Sequence, residues 1–308
     1  MQDVMGEVAT EAAARARMLA ERLSQAAPEL SLDLPAPAAG DPSKYSWVPE
    51  AIAEANARLR ETAPDLLADY NRYVLLTLIG RFALAESRFR LPESVAALYP
   101  GEGKRILRQV ESFEDTFFDA AKDAFLKDLA ILTHRLIPVG AEYAEGGAGI
   151  PRRLLVCGGP GQALKALWLI ALRCRGQRPF FALHAHTLSL ERFNPEGWRE
   201  TYLRLAELLE MNPRMKGWLS ASWFLDPALE SISPHLAYLR RVPVEGGAAL
   251  MFVCRHPDGS SGALSKSATR RRLFQEGNYV PATYMRIWPR AAVLTWRRRE
   301  EAGKTQER

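Results

Sequence analysis

The sequence predicts an α/β protein in which a mixed β-sheet is covered by helices and preceded by a helical N-terminal region. Two observations point to this fold class. Apolar residues recur every three to four positions through the first third of the chain, as they do on amphipathic helices. After Gly140, short apolar runs bounded by glycine and proline alternate with segments of helical period. Strands separated by helices are typical of a sheet whose faces carry helices.

The N-terminal third is predicted to be helical in three places. Residues 1–27 are rich in Ala, Glu and Arg, and a Pro-rich linker follows at 32–43. Apolar stripes at 66–78 and 113–129 each predict a further amphipathic helix. We therefore divide the chain into an N-terminal helix with linker (1–45), a helical region (46–145), an α/β domain (150–298) and a basic tail (299–308).

The α/β domain carries strand and helix signals in alternation. The predicted strands are Arg152–Cys157, Phe180–Thr187, Trp218–Leu225 and Ala249–Arg255, followed by a hairpin of Tyr284–Trp288 and Ala292–Trp296. The predicted helices are Ala163–Cys174, one capped by Asn194 before Pro195, one opened by Ser233 and Pro234, and one from Ser267 or Thr269 to Glu276. Gly277 suits the position that ends the last of these helices.

Composition is that of an ordinary globular chain. The 308 residues are 47% hydrophobic and 25% charged, enough apolar material for a sizeable core. The three cysteines are widely spaced and odd in number, which favours buried thiols in a reducing compartment over disulfides or a zinc site. No apolar run approaches the ~20 residues of a membrane span, and the N-terminus lacks a secretory signal. We expect a soluble cytoplasmic protein with no membrane partner and leave its oligomeric state open.

A His-x-His pair in a predicted strand is the most informative local feature. His184 and His186 project to the same face, because side chains alternate along a strand. They could be hydrogen-bonded structural residues, proton-transfer or substrate-binding groups, or metal ligands with Asp226 or Glu191 as a third ligand. We predict a catalytic role and expect no metal.

The next strand carries small polar residues that could bind a substrate. Ser220 and Ser222 share a face, which suits a ligand pocket or a half-covered sheet surface. We predict substrate-binding roles for these two serines and for the following Trp223 and Asp226. We also expect this strand and the His-x-His pair to border one shared cavity.

A glycine turn offers a second hypothesis. The segment Cys157–Gly161 lies between a predicted strand and a predicted helix, where glycine lets backbone amides approach a phosphate. It resembles the first turn of Rossmann-like nucleotide or AdoMet sites, without the full glycine spacing of that fingerprint. A purely structural turn is the alternative.

The C-terminal part is strongly basic and suggests a third hypothesis. Residues 265–299 contain nine Lys and Arg against one acid, Glu276. This could be a solvated basic face or a surface for nucleic acid or another anionic partner. In the latter case the phosphate contacts would be Arg270, Arg272, Arg286 and Arg290, with Trp288 or Trp296 available for stacking.

The order strand, helix, strand, helix, strand pair at the C-terminal end is similar to the second half of the GNAT-fold acyltransferases. Residues 268–279 (ATRRRLFQEGNY) resemble the late helix and turn of that family, with Leu273 and Phe274 followed by Gly277 and Tyr279. The resemblance covers about 80 residues. A three-layer sheet of GNAT-like or Rossmann-like type is the fold that these resemblances imply.

The GNAT resemblance implies an acyltransferase that uses an acyl-CoA and acylates an amine of a small molecule. His184 or His186 would deprotonate the amine, and backbone amides of the strand at 218–225 would polarise the thioester carbonyl. Tyr279 or Tyr284 would protonate the leaving thiolate. The nearest counterpart of the family's diphosphate loop gives the cofactor-binding residues Arg241, Gly246, Gly247 and Arg270.

Overall fold

A computed structural model describes residues 2–34, 44–82, 87–186 and 190–306. The chain divides into two compact units. The first comprises Met1–Glu145 with Ala185–Leu190, and the second comprises Gly146–His184 with Glu191–Arg308. Part of the predicted linker (35–43) and the predicted strand end at Thr187 lie outside the described residues.

The described residues form an α/β protein in which helices accompany a mixed sheet of six strands. The α-helices of the described residues are α1 (Gln2–Ala26), α2 (Glu50–Thr62), α3 (Leu67–Gly80), α4 (Glu93–Ala96), α5 (Tyr99–Ser112), α6 (Asp123–Leu132), α7 (Gly159–Trp168), α8 (Pro195–Met211), α9 (Leu229–Ile232), α10 (Tyr238–Glu245), α11 (Ala268–Gln275) and α12 (Arg290–Gln306). The strands are β1 (Leu136–Pro138), β2 (Tyr143–Ala148), β3 (Phe180–His184), β4 (Gly217–Ser222), β5 (Ala249–Arg255) and β6 (Ala282–Pro289), in the order β1-β2-β3-β4-β6-β5. Among the described residues, no helix combines the length and apolar character needed to cross a bilayer.

The first unit is built on packed helices. Helix α1 packs along α3 and buries Val8, Ala12, Ala16 and Leu23, whose spacing of four and seven places them on one stripe. The two helices are in contact at Gly80 of α3, where a Cβ would lie 3.7 Å from the Cβ of Ala13, an ordinary van der Waals distance. The periodic apolar stripes of the sequence therefore face one another in this unit.

The second unit contains a parallel pair, β3 and β4, and two antiparallel pairs, β4 with β6 and β5 with β6. The helix between the parallel strands, α8, begins at a capped turn. The Asn194 side chain accepts a hydrogen bond from the Gly197 amide at 2.9 Å, and Pro195 occupies the first helical position. A side chain at Gly197 would overlap the Arg192 carbonyl, so this close turn requires glycine.

The two faces of this sheet bury different side chains. The face that we call the α8 face carries the cross-strand pairs Trp218–Trp288, Ser220–Arg286 and Ser222–Tyr284. Helix α8 adds Trp198 and Tyr202, and the Tyr202 ring stacks on that of Trp218 at 5.7 Å. The opposite face, the α7 face, is aliphatic and packs Leu219, Met285 and Ile287 against Ala166 of α7.

Several predicted elements are confirmed. The predicted strand at 249–255 matches β5, and α11 begins after Ser267, whose hydroxyl accepts from the Arg270 amide at 3.3 Å. Gly277 has a φ of 74° just after that helix, a conformation that glycine adopts without strain. The predicted helix at 163–174 corresponds to α7 and the π-helical turn Leu169–Arg173 that extends it.

Three predicted elements are wrong. Residues Arg152–Leu155 form a 3-10 turn instead of a strand, and the predicted second arm of the final hairpin belongs to α12, which runs through most of the predicted basic tail. The stripe at 113–129 is split, because α5 ends at Ser112 and α6 starts at Asp123. A short apolar run fits more than one element, so periodicity alone could not decide these cases.

Candidate functional site

The site begins with an incomplete parallel pair in the second unit. Strands β3 and β4 pair in register only at Phe181 with Trp218 and at Ala182 with Leu219. Within the described residues they have no registered pair beyond these two, although β3 continues to His184 and β4 to Ser222. We call this gap the β3–β4 opening. The last three residues of β4 are in register with β6 on one edge and have no registered partner on β3 on the other.

Small residues border the opening. Ala221 is exposed and Ser222 is half-buried, so the backbone of β4 can be reached there. Backbone N–H and C=O groups on an unpaired strand edge are strong hydrogen-bonding groups, and an extended amide-bearing chain can add to such an edge. The arrangement can therefore bind a ligand through main-chain atoms.

His184 is the imidazole that stays at this opening. It ends β3, is half-buried, and lies two residues after Ala182, so alternation puts it on the α7 face. Ser222 points to the α8 face. The expectation that the histidine pair and the serines line one side of a shared cavity is therefore wrong for their side chains, which flank the opening from its two faces.

His186 has a different environment. It lies beyond the end of β3, is fully buried in the first unit, and has Nε2 at 3.1 Å from Asp128 Oδ1. The same oxygen accepts from Arg105 Nη2 at 2.6 Å. Burial alone would raise the pKa of Asp128, but Arg105 and His186 hold this pKa below its ordinary value. His186 is therefore part of a buried polar network, which corrects its predicted catalytic role.

Further polar groups complete the network around Arg105. Its Nε donates to Glu102 at 2.9 Å and its Nη1 to Gln109 at 2.9 Å, while the Tyr143 hydroxyl donates to Glu102 at 2.9 Å. Glu102, Arg105 and Gln109 are spaced by three and four residues on α5, a pattern that could have indicated a polar inward face. Tyr143 on β2 and His186 are remote from α5 in the sequence, and no local signal connects them with the residues of that helix.

Ser220 is held by an arginine instead of facing a pocket. Both Ser220 and Arg286 are buried, and Arg286 Nη2 donates to the serine hydroxyl at 3.1 Å. The guanidinium also donates to the Tyr202 hydroxyl at 3.0 Å and to the Leu239 carbonyl. Its carbon lies 4.6 Å from the centre of the Trp218 ring. The predicted substrate-binding role of Ser220 is therefore corrected to an internal hydrogen bond.

Asp226 and Tyr279 form a second internal group. The Tyr279 hydroxyl donates to Asp226 Oδ2 at 3.4 Å, and the Ala282 amide donates to the same oxygen at 3.2 Å. Both side chains are buried, and burial together with the Asp226 charge raises the pKa of Tyr279 well above its usual range. These hydrogen bonds fix the start of β6. They correct the predicted roles of Asp226 in substrate binding and of Tyr279 in proton transfer.

Tyr284 and Trp223 remain partly accessible near the opening. Tyr284 pairs in register with Ser222 and is half-buried, and burial raises its pKa, with the Asp226 charge adding to the effect. A phenol with a raised pKa keeps its proton at neutral pH and can act as a donor. The Trp223 ring is half-buried and lies 4.8 Å from the Arg270 guanidinium carbon.

The predicted cofactor-binding residues do not form one group. Arg270 is buried and donates to the Ala263 carbonyl at 2.5 Å and to Ser233 Oγ at 2.8 Å. Arg241 is exposed and pairs with Glu230 at 2.7 Å. Arg270 therefore makes internal hydrogen bonds and Arg241 makes a surface ion pair, which corrects their predicted role in cofactor binding.

Gly246 and Gly247 do line a cavity. It has a volume of about 280 Å³ and is bordered by the arginines Arg173 and Arg299 instead of Arg241. The role in cofactor binding predicted for these two glycines stays a prediction, and the basic residues at this cavity were not among the predicted ones. Arg173 is remote in the chain and Arg299 lies on the last helix, so their approach depends on the fold.

The basic residues of the C-terminal part divide between internal contacts and exposed positions, the exposed ones being Lys266, Arg271, Arg272, Arg298 and Arg299. Arg286 and the proposed stacking residues Trp288 and Trp296 are buried, while Arg290 donates to the Leu209 carbonyl. Arg297 pairs with Glu210 at 2.6 Å and with two further glutamates. Of the predicted phosphate contacts, Arg272 is exposed, whereas Arg270, Arg286 and Arg290 make internal contacts and both tryptophans are buried.

The glycine turn also lacks its expected setting, because a 3-10 turn and not a strand precedes Gly158 and Gly161. Among the described residues, no group of three or more His, Cys, Asp or Glu could hold a metal ion. In comparisons with known proteins, no family model, no curated protein and no solved structure matches this chain.

Proposed function

We propose that the second unit is a GNAT-like acyltransferase domain that moves an acyl group from a CoA-type thioester to an amine of a small molecule. The observation that carries the proposal is the β3–β4 opening. The parallel pair β3 and β4 adjoins the antiparallel pairs β4 with β6 and β5 with β6, and it separates after two registered pairs.

The free edge of β4 suits the donor. Coenzyme A thioesters carry an extended arm with amide groups, and such an arm can pair with an unpaired strand edge through main-chain hydrogen bonds. Ala221 and Ser222 are small, so their side chains leave the edge accessible. Amides of this strand would then stabilise the oxyanion that forms when an amine attacks the thioester carbonyl.

Side chains on both sides of the opening suit the two proton transfers. His184 would accept the proton of the attacking amine, and Tyr284 would donate a proton to the leaving thiolate. The products are an amide and a free thiol, and the phenolate recovers its proton from water. Trp223 and Ser222 are the half-buried groups that would contact the acceptor. A ligand can approach an opening between two strands from both faces of the sheet. His184 and Tyr284 therefore do not need to lie on the same face.

Binding of the donor is tested by thermal shift with a series of acyl-CoAs of increasing chain length and with free CoA. A ligand at a hundred times its Kd adds about 2.7 kcal/mol to the free energy of unfolding, which gives a clear rise in Tm. If no CoA thioester raises the Tm, the proposal fails.

Turnover is tested by thiol release with a panel of amines. Removing a general acid or base lowers turnover by roughly 10² to 10⁴, so His184→Ala and Tyr284→Phe are expected to lose activity while the Tm shift with acyl-CoA is retained. His235→Ala and Tyr238→Phe are matched controls at residues that have no assigned role in the reaction and should keep full activity. Equal activity of all four variants would remove the assigned roles.

A further inference from the structure

Helix α7 presents an apolar face to solvent. Its side chains Leu164, Leu167 and Trp168 are 69%, 52% and 47% exposed, and Leu172 on the following π-helical turn is 66% exposed. Spacings of three and four residues place all four on one stripe. The opposite side of the helix, at Ala166 and Leu169, is buried in the core of the second unit. The segment 164–172 therefore has an apolar side that is buried and another apolar side that is exposed to solvent.

Such a face is unusual on a globular protein. A helix that is apolar all round is normally buried, and contiguous exposed apolar patches mark interaction surfaces. Val156, which precedes α7, is 78% exposed and adds to the same region of chain. We call Val156, Leu164, Leu167, Trp168 and Leu172 the apolar stripe.

All charged residues in the chain segment around the apolar stripe are basic. Residues 146–184 contain six Arg and Lys and no Asp or Glu. These cations are Arg152, Arg153, Lys165, Arg173, Arg175 and Arg178. Within the described part of the chain, none of them has a carboxylate at ion-pair distance. Their charge is thus available to an external partner.

One cation connects the stripe to the cavity described above. The Arg173 guanidinium carbon lies 5.3 Å from the centre of the Trp168 ring, and Arg173 also borders the cavity of about 280 Å³ together with Arg299. Glu245 is the acidic residue on the wall of that cavity. Two arginines against one glutamate favour an anionic group in this cavity.

We propose that the apolar stripe and its flanking cations bind the surface of a bilayer that contains anionic phospholipids. The aliphatic side chains would insert into the interfacial region to a depth of about 5–10 Å, as amphipathic helices do. The cations would contact lipid phosphates, and the cavity between Arg173 and Arg299 would hold one headgroup. This is attachment to a surface, which needs no membrane-spanning helix.

Charge complementarity selects this occupant over the alternatives. A two-fold contact between identical copies would bring the same six cations together. Nucleic acid would be attracted by the charge, but exposed leucines have no stacking or hydrogen-bonding partner in it. An anionic bilayer satisfies both the charge and the aliphatic side chains.

The test is flotation of the full chain with vesicles of phosphatidylcholine alone or mixed equally with phosphatidylglycerol. Binding is expected to the mixed vesicles and not to phosphatidylcholine alone, and to weaken as salt screens the charges. Leu164→Ser/Leu167→Ser and Arg173→Gln/Arg175→Gln should each reduce binding about tenfold or more. The matched control Met18→Ser/Met211→Ser removes two other exposed apolar side chains and should bind as the unaltered chain does.

Circular dichroism and Tm of each variant check that the fold is intact, since all altered side chains are exposed. Absence of binding to the mixed vesicles overturns the proposal, as does equal binding to both vesicle types. Sedimentation velocity is run in parallel without lipid. A dimer that Leu164→Ser/Leu167→Ser dissociates would assign the stripe to a second copy of the chain and would equally overturn the proposal.

Discussion

At the residue scale, Arg286 shows how a charged side chain can be part of a core. Its side chain is fully buried on the α8 face, and no carboxylate among the described residues pairs with it. The guanidinium instead donates to neutral oxygens and lies over the rings of Trp198 and Trp218. Its planar fork presents N–H donors from more than one nitrogen, and these reach Tyr202, Leu239 and Ser220 while the plane lies against the aromatic rings. Because Arg286 binds its hydroxyl, Ser220 is not available to a ligand at the β3–β4 opening.

His134 makes a residue-scale prediction about pH. Its ring lies 4.6 Å from that of Phe82 and 4.9 Å from that of Tyr99, and burial lowers its pKa to about 4. In the unfolded chain a histidine has a pKa near 6.5. The folded state therefore disfavours the proton, so this contribution to stability is complete above about pH 6.5 and is lost as the pH falls to about 4, by up to about 3 kcal/mol.

Urea denaturation at pH 7.5 and 4.5 measures this loss. His134→Asn is expected to remove most of it, and asparagine tolerates the positive φ of 55° at this position. His235→Asn, at an exposed histidine, should retain the full loss. Asp128, whose pKa is lowered, contributes only below about pH 4 and so does not interfere. An unchanged pH dependence in His134→Asn would contradict the assignment.

At the element scale, the start of β4 depends on a glycine. Gly217 has a φ of 145°, and a Cβ there would overlap the carbonyl oxygen of Trp288 on β6. Strand β4 pairs with β6 along its whole length from this residue, so the register that places Ser222 beside Tyr284 begins here. The geometry of the β3–β4 opening is therefore linked to a position outside it.

Gly217→Ala is expected to lower the free energy of unfolding by more than about 2 kcal/mol, because neither its φ nor its surroundings accept a methyl group. Gly161→Ala is the matched control, since a Cβ in that first turn of α7 meets no atom within 4 Å. Its stability should change by less than about 1 kcal/mol, in the direction of a gain. Both values come from chemical denaturation followed by circular dichroism. Comparable losses in the two variants would refute the role given to Gly217.

At the scale of the whole molecule, the two units differ in what they bury. The first is a helical unit with the polar network of Arg105, Asp128 and His186 inside it. The second carries strands β3 to β6, the β3–β4 opening and the exposed apolar stripe. All three cysteines lie in the second unit as free thiols, but only Cys174 is buried as expected, whereas Cys157 and Cys254 are half-buried.

The thiols provide a prediction for the intact chain. Cys157 and Cys254 are half-buried, whereas Cys174 is buried and its pKa is raised to about 11 by desolvation. Two thiols are expected to react with a disulfide reagent in the native protein, and the third only after unfolding, because the thiolate is the reactive form. Mass spectrometry of the labelled chain identifies the slow residue. Labelling of Cys174 at the same rate as the others would show that its environment is not the one described.

The sequence by itself determined the local structure wherever one segment carried its own signal. Asn194 with Pro195 indicated the start of α8, Ser267 that of α11, and the run at 249–255 matched β5. These signals are local because a cap or an alternating run involves neighbouring residues.

Only the tertiary structure decided which of the candidate residues remain accessible. His184 stays at the opening while His186 is buried beside Asp128, and Ser222 stays accessible while Arg286 binds Ser220. A periodic pattern shows that a side chain lies on a certain face but not what covers that face. The partners come from segments remote in the chain, so burial and hydrogen bonding are set when the elements pack.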